Sequence, residues 1–324
     1  MPTGFYTDRH VLVVGGFGFI GLTLTRQLAR LGARVTVVTR ALDRHRASMA
    51  DLEPLGVRAL EGDLRDPRAI GAALVGQAVV FNLAGQSGAV RSMEDPWTDL
   101  DVNCRGNLVL LEAVRAMPSA PKLVFVSSRL AYGLGGGVAV GEERPPDPLC
   151  VHAVHKVAVE QYLKIYSRLY GVTFTVARVT NPYGPGQPRE RTAYGVVNRL
   201  IHLALSGEPL PIYGDGRQRR DYIHIEDAVQ ALLHLGESPA SDGKVYNVGS
   251  GTGTPLVDMA RTITSIVGGG RLEFVPWPPL AEQIDTGDFV ANVSKIRRDV
   301  GWEARISLVE GLERTVAFYR AHAA

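Results

Sequence analysis

The sequence predicts an α/β fold, a doubly wound parallel sheet with helices on both faces and a smaller C-terminal α/β region. Three observations carry this expectation. In Val11-Leu-Val-Val-Gly-Gly-Phe-Gly-Phe-Ile-Gly21, four apolar β-formers run into a glycine-rich turn, after which Ile20, Leu24, Leu28 and Leu31 recur at helical spacing. Short apolar strands and amphipathic stretches then alternate at βαβ intervals. The 324 residues, 45% of them hydrophobic, suffice for one large core or two modest ones.

Each element follows from its residues. In the first strand-turn-helix unit, Gly16, Gly18 and Gly21 satisfy GxGxxG, while Gly15, Gly18 and Gly21 satisfy GxxGxxG. Glycines at such positions allow the sharp turn, the approach of backbone to a pyrophosphate, and close helix-strand packing; the following helix points free N–H groups at the phosphates. This is the signature of a Rossmann-type dinucleotide site, and assigns Gly15, Gly18, Phe19, Ile20 and Gly21 to a cofactor. Gly32 stops the helix and Val35–Val38 forms the second strand, whose tip is Thr39-Arg40. An acid at this tip would bind a ribose 2′-hydroxyl, whereas arginine accommodates a 2′-phosphate. No acid occurs before Asp43, and Arg40, Arg44 and Arg46 make the segment basic, so NADP is expected and NAD is the alternative. In that alternative the loop is merely solvated and Asp43 reaches back to the ribose.

Val57–Leu60 and Ala78–Leu83 read as the third and fourth strands. Right-handed crossovers place the loops after parallel strands on one edge, which brings Asp63, Leu64, Leu83, Ala84 and Gly85 toward the cofactor. A long helix is expected from about Trp97 to Met117, ended by Pro118. The strand Lys122–Val126 then delivers Val126, Ser127 and Ser128 to the same edge, and a second long helix runs from about Val151 to Tyr170. Apolar residues beyond one stripe on the two long helices suggest a homodimer; packing on the sheet alone is the alternative.

The formal net charge of +2 comes from 35 basic and 33 acidic residues without a long block of either sign, so no nucleic acid or membrane partner is expected. The polar start and the lack of a long apolar run suggest a cytoplasmic protein. Cys104 and Cys150 have no metal or redox spacing, so no metal is expected and both should be reduced thiols.

Beyond these elements, nearly the whole chain resembles the extended short-chain dehydrogenase/reductase family, within its UDP-glucose 4-epimerase-like group of nucleotide-sugar epimerases, dehydratases and reductases. The resemblance rests on the glycine turn, Asp63-Leu64, Asn103, Ser128 followed by Tyr132-Gly133, and Arg178-Val-Thr-Asn-Pro-Tyr-Gly-Pro-Gly186. Ile212-Tyr-Gly-Asp-Gly216, Arg220-Asp-Tyr-Ile-His-Ile-Glu-Asp227, Tyr246-Asn-Val-Gly249 and Gly301-Trp302 extend it. It implies residues 1–180 as the NAD(P)-binding part, with 221–249 returning to it, and 181–324 mainly as a region for a nucleoside diphosphate sugar. It also implies Asn103 and Lys156 as cofactor contacts. For the substrate it implies Gln86, Arg129, Asn181, Arg189, Arg191, Tyr213 and Arg220, the last clamping the diphosphate as a planar guanidinium can. Arg129-Leu130 stand where 4,6-dehydratases carry Asp-Glu, which argues against water elimination.

One position departs from the family. The YxxxK tetrad reads His152-Ala-Val-His155-Lys156, with His where the catalytic tyrosine belongs. The resemblance implies Ser128 and Lys156 as the supports of that residue. Neutral imidazole can accept a proton through one nitrogen, and its ordinary pKa of about 6.5 suits acid–base work near neutrality. His152 as the base, another residue (Tyr132, Tyr183 or His155) as the base, and binding without chemistry are the three expectations. For the chain as a whole the expectation is an epimerase acting through a transient keto sugar, with an NADPH-dependent ketoreductase, which the Thr39-Arg40 tip favours, and a silent binding protein as alternatives.

Overall fold

A computed structural model of the chain describes residues 4–136, 139–187 and 195–322. Seven strands build the main sheet: β1 His10–Val14, β2 Arg34–Thr39, β3 Arg58–Glu61, β4 Val79–Asn82, β5 Lys122–Ser128, β6 Phe174–Val179 and β7 Lys244–Val248. Their order is β7-β6-β5-β4-β1-β2-β3, and every neighbouring pair is parallel. Parallel strands covered on both faces need apolar residues at consecutive positions, and Val11-Leu-Val-Val14 supplies them. Because side chains alternate along a strand, Val11 and Val13 enter one core with Leu24 and Leu28 of the helix Phe19–Arg30 and Leu232 of Ile225–Glu237. Leu12 and Val14 enter the other, with Leu110, Leu111 and Val114 of Gly106–Arg115 and Val159 and Leu163 of Val151–Tyr170.

The expected long helix over Trp97–Met117 is divided. An α-turn at Pro96–Leu100 passes into a π-turn at Asp101–Arg105 and returns to α-helix at Gly106–Arg115. The wider turn fits a local contact: a Cβ on Gly106 would come within 3.0 Å of Leu64, so the helix lies against the segment after β3. The second long helix, Val151–Tyr170, is continuous and ends on the left-handed Gly171.

Asn181 begins a short strand, Asn181–Tyr183. That strand pairs in parallel with Arg219–His224, which pairs antiparallel with Gly253–Pro255. Beside them a third core gathers Leu200 and Ile201 of Val196–Leu205, Met259 and Ile263 of Leu256–Val267, and Leu312 and Val316 of Leu308–Ala321. No helix among the described residues is long and apolar enough to cross a membrane.

Candidate active site

β1 lies between β2 and β4, so the loops leaving β1 and β4 part at the point where the strand order reverses. Backbones meet closely there. Gly15 adopts φ +85°, and a Cβ on it would stand 2.9 Å from the Ala84 nitrogen. A Cβ on Gly21 would stand 2.2 Å from the Gly15 carbonyl oxygen. Gly18 caps the helix Phe19–Arg30 without a side-chain hydrogen bond, leaving first-turn N–H groups for an anion. This cradle, which any side chain would fill, fits a dinucleotide pyrophosphate.

At the end of β2, Thr39 is half-buried and Arg40 exposed. Asp43 does not reach back toward the strand: it pairs with Arg46 at 2.7 Å, both side chains being exposed. Asp63 accepts from Arg65 Nε at 2.9 Å and Nη2 at 2.7 Å, and these bonds hold its carboxyl below the usual range. Arg65 in turn pairs with Asp101 of the π-turn. Leu64 is buried in the second core, with its side chain against Gly106.

The π-turn carries Asn103 to the loop after β4. Its Oδ1 accepts from the Gln86 amide at 3.1 Å, and its Nδ2 donates to the Gln86 carbonyl at 3.0 Å. A Cβ on Gly85 would stand 2.5 Å from Asn103 Oδ1 and 3.6 Å from Lys156 Nζ, so loop, π-turn and the helix Val151–Tyr170 converge on one spot. Lys156 Nζ donates to the Val126 carbonyl at 3.0 Å and lies over the Phe125 ring at 4.8 Å. Burial pushes its pKa down to about 8. Ser128 ends β5 two residues beyond Val126; its Oγ accepts from the Leu130 amide at 3.2 Å and caps the turn Arg129–Tyr132.

His152 stands one helical turn before Lys156, and its backbone N–H donates to Ser92 Oγ at 3.0 Å. The ring is buried, and its Nδ1 lies 3.4 Å from Asn103 Nδ2 and 3.5 Å from Asp99 Oδ2. Burial holds its pKa below the ordinary histidine value, with Lys156 and His155 adding to that effect and Asp99 opposing it.

The other candidate bases are differently placed. Tyr132 and Tyr183 are buried, their hydroxyls donating to Asn247 Oδ1 at 2.7 Å and to the Leu308 carbonyl at 3.2 Å, and burial pushes the Tyr132 phenol up to about 12. The His155 side chain is 12% exposed, and its Nδ1 lies 2.7 Å from Asp99 Oδ1.

Among the substrate candidates, Arg129 Nε donates to Asn181 Oδ1 at 3.3 Å and Nη1 to Thr286 Oγ1 at 2.6 Å; burial drives this guanidinium down to about 10. Asn181 Nδ2 donates to the Asp221 carbonyl at 2.8 Å. Arg220 pairs with Asp285 and donates to the Gly287 and Arg219 carbonyls, leaving Nε–H and one Nη2 hydrogen. The Tyr213 ring stands 5.3 Å from that of Trp277. Arg189 and Arg191 lie outside the described residues. Among those described, no group of three or more His, Cys, Asp or Glu residues could hold a metal ion. Sequence reading missed Asp99, although its spacing four residues before Asn103 places the two one above the other on a helix.

Residues 11–249 match the model of the NAD dependent epimerase/dehydratase family. The chain belongs to this family. A UDP-glucose 4-epimerase of Mycolicibacterium smegmatis is 33% identical over 317 residues, 95% of this chain and 98% of that protein. A dTDP-glucose 4,6-dehydratase of Streptomyces niveus is 28% identical, over 96% of this chain and 92% of the other. Two epimerase/dehydratase family structures are similar along nearly their whole length. The UDP-glucose 4-epimerase of Thermotoga maritima, solved with UDP-glucose, superposes with TM-score 0.88 at 30% identity, covering 97% of this chain and 100% of its own. That of Thermus thermophilus, in complex with NAD, gives TM-score 0.86 at 31% identity, covering 96% and 99%. The Rossmann-type fold and the recognition of the chain as a nucleotide-sugar epimerase/dehydratase relative thus stand.

Proposed function

We propose that the protein is an NAD(P)-dependent epimerase of a nucleoside diphosphate sugar, with His152 in place of the usual tyrosine. The convergence of Gly85, Asn103, Lys156 and His152 beside the glycine cradle carries this reading. A bound oxidised nicotinamide supplies the hydride acceptor. His152 takes the proton of a sugar hydroxyl as hydride leaves the same carbon, and returns it when the ketone is reduced from the opposite face. Ser128 hydrogen-bonds the reacting oxygen, and the buried Lys156 ammonium favours the neutral ring. Gln86, Arg129, Asn181, Arg189, Arg191, Tyr213 and Arg220 remain the proposed substrate side, Arg220 through its two uncommitted N–H groups. Val154, Ile165 and Leu169, exposed on one face of Val151–Tyr170, support a homodimer.

The deciding comparison is turnover of a nucleotide-sugar panel by wild type, His152→Phe and His152→Tyr. General-base catalysis is worth at least about a hundredfold, so His152→Phe should lose that much while His152→Tyr retains or gains activity. Unchanged turnover in His152→Phe would exclude the ring as base. The basic Thr39-Arg40 tip favours a second reading, an NADPH-dependent ketoreductase. Mass spectrometry of what the denatured protein releases separates the two, since an epimerase regenerates its dinucleotide and need not part with it.

A further inference from the structure

Asp99 is fully buried, and its two oxygens are unequally employed. Oδ1 accepts from Asn103 Nδ2 at 2.8 Å and lies 2.7 Å from His155 Nδ1. Oδ2 is buried without a hydrogen-bond partner, and faces His152 Nδ1 3.5 Å away. The donors Asn103 and His155 at Oδ1, with the His152 ring facing Oδ2, outweigh the effect of burial and keep this carboxyl below its ordinary pKa, so it is an anion.

Proton accounting decides which nitrogen of His152 carries hydrogen. Asn103 Nδ2 lies 3.4 Å from Nδ1, but its two hydrogens are given to the Gln86 carbonyl and to Asp99 Oδ1. The amide cannot be turned over, because its Oδ1 accepts from the Gln86 N–H. A bare Nδ1 would therefore leave two acceptors facing each other in a buried site. Hydrogen on Nδ1 satisfies the nitrogen and the orphan Oδ2 together.

We infer that Asp99 is a positioning residue that keeps neutral His152 in the tautomer with hydrogen on Nδ1, so that Nε2 is the proton acceptor. The inference rests on the catalytic reading of His152 given above and adds what orients the ring. When Nε2 takes the sugar hydroxyl's proton the ring becomes imidazolium, with hydrogen on both nitrogens, and the carboxylate faces the new charge. The cation Lys156 and a neighbouring histidine, His155, resist that charge from the same helix, and Asp99 opposes them. An aspartate orienting a histidine base has the logic of a hydrolase triad, here combined with a dinucleotide site.

Nitrogen NMR of the ¹⁵N-histidine-labelled chain without cofactor, with His152 assigned through His152→Phe, tests this directly. Wild type should show a protonated Nδ1 and a bare Nε2 at neutral pH. In Asp99→Asn the Asn103 donor fixes the new amide oxygen at the former Oδ1 position, so the amide NH₂ faces His152 Nδ1 and should move the ring hydrogen to Nε2. Turnover should then fall about a hundredfold or more while dinucleotide affinity is retained. Hydrogen on Nε2 in wild type, or an unchanged tautomer in folded Asp99→Asn, overturns the inference; if that variant does not fold, the wild-type spectrum decides alone. The two readings separate cleanly. Hydrogen on Nδ1 without turnover on any sugar supports the role of Asp99 and removes the enzymatic reading, whereas turnover with hydrogen on Nε2 does the reverse.

Discussion

Lys156 and His152 stand one helical turn apart, and burial disfavours positive charge on both. For His152 the neutral, basic form persists as pH falls, until the ring protonates somewhere below about 6.5. Lys156 gives up its proton at about 8. If both forms are required, kcat/KM should be bell-shaped, with its acid limb below pH 6.5 and its alkaline limb near 8; a profile flat across the acid limb would remove His152 from the reaction. Arg40 is the other residue whose charge makes a sharp prediction. It is exposed at the tip of β2, and the acid that could have served NAD, Asp43, is paired with Arg46. Calorimetry should find NADP bound more tightly than NAD, and Arg40→Ala should erase the difference by weakening NADP roughly ten- to a hundredfold. Tighter binding of NAD in wild type, or a preference that Arg40→Ala leaves unchanged, would overturn the basic-tip reading.

Between residue and molecule, the helix Val151–Tyr170 is held to the sheet by a buried cluster. Glu160 accepts from Ser127 Oγ at 2.6 Å and from Arg178 Nε at 3.0 Å and Nη2 at 2.5 Å, joining the helix to β5 and β6. Arg178 also lies 4.5 Å from the centre of the Tyr132 ring. Removing one partner leaves the other charge buried, so Glu160→Ala should cost about 3–5 kcal/mol in denaturant unfolding and displace His152 and Lys156. A cost under about 1 kcal/mol would mean that water or another anion replaces the carboxylate. This helix was legible in sequence because its apolar spacing is regular and Gly171 ends it. The division of the other long helix was not, since a π-turn has no propensity signature and Asp101–Arg105 widens where Leu64, distant in sequence, meets Gly106. The same gap hid Asp99. An aspartate one turn before Asn103 looks like a solvated helix residue until Val151–Tyr170 brings two histidines over it.

Across the whole molecule, the parallel sheet and the edge that carries its loops could be expected from strand runs and right-handed crossovers, because both are local or universal rules; the strand order could not. The substrate side was less legible: which partners Arg129 and Arg220 take depends on Thr286, Asp285 and Gly287, far along the chain, and no local pattern encodes that. Assembly is the remaining property at this scale. Val154, Ile165 and Leu169 are 48%, 50% and 58% exposed along one helix face, and Trp97 is 78% exposed on the neighbouring Pro96–Leu100 turn. Sedimentation should show a dimer that Val154→Glu with Leu169→Glu converts to monomer without loss of fold; a monomeric wild type would refute it. The position of β7 bears on how the protein is made. Six consecutive buried residues form β6, and among the described residues the one strand beyond it in the sheet comes from Lys244–Val248. A nascent chain that has emerged only past residue 180 therefore carries an open, buried-type sheet edge, and stays vulnerable to pairing with other chains until Lys244–Val248 leaves the ribosome.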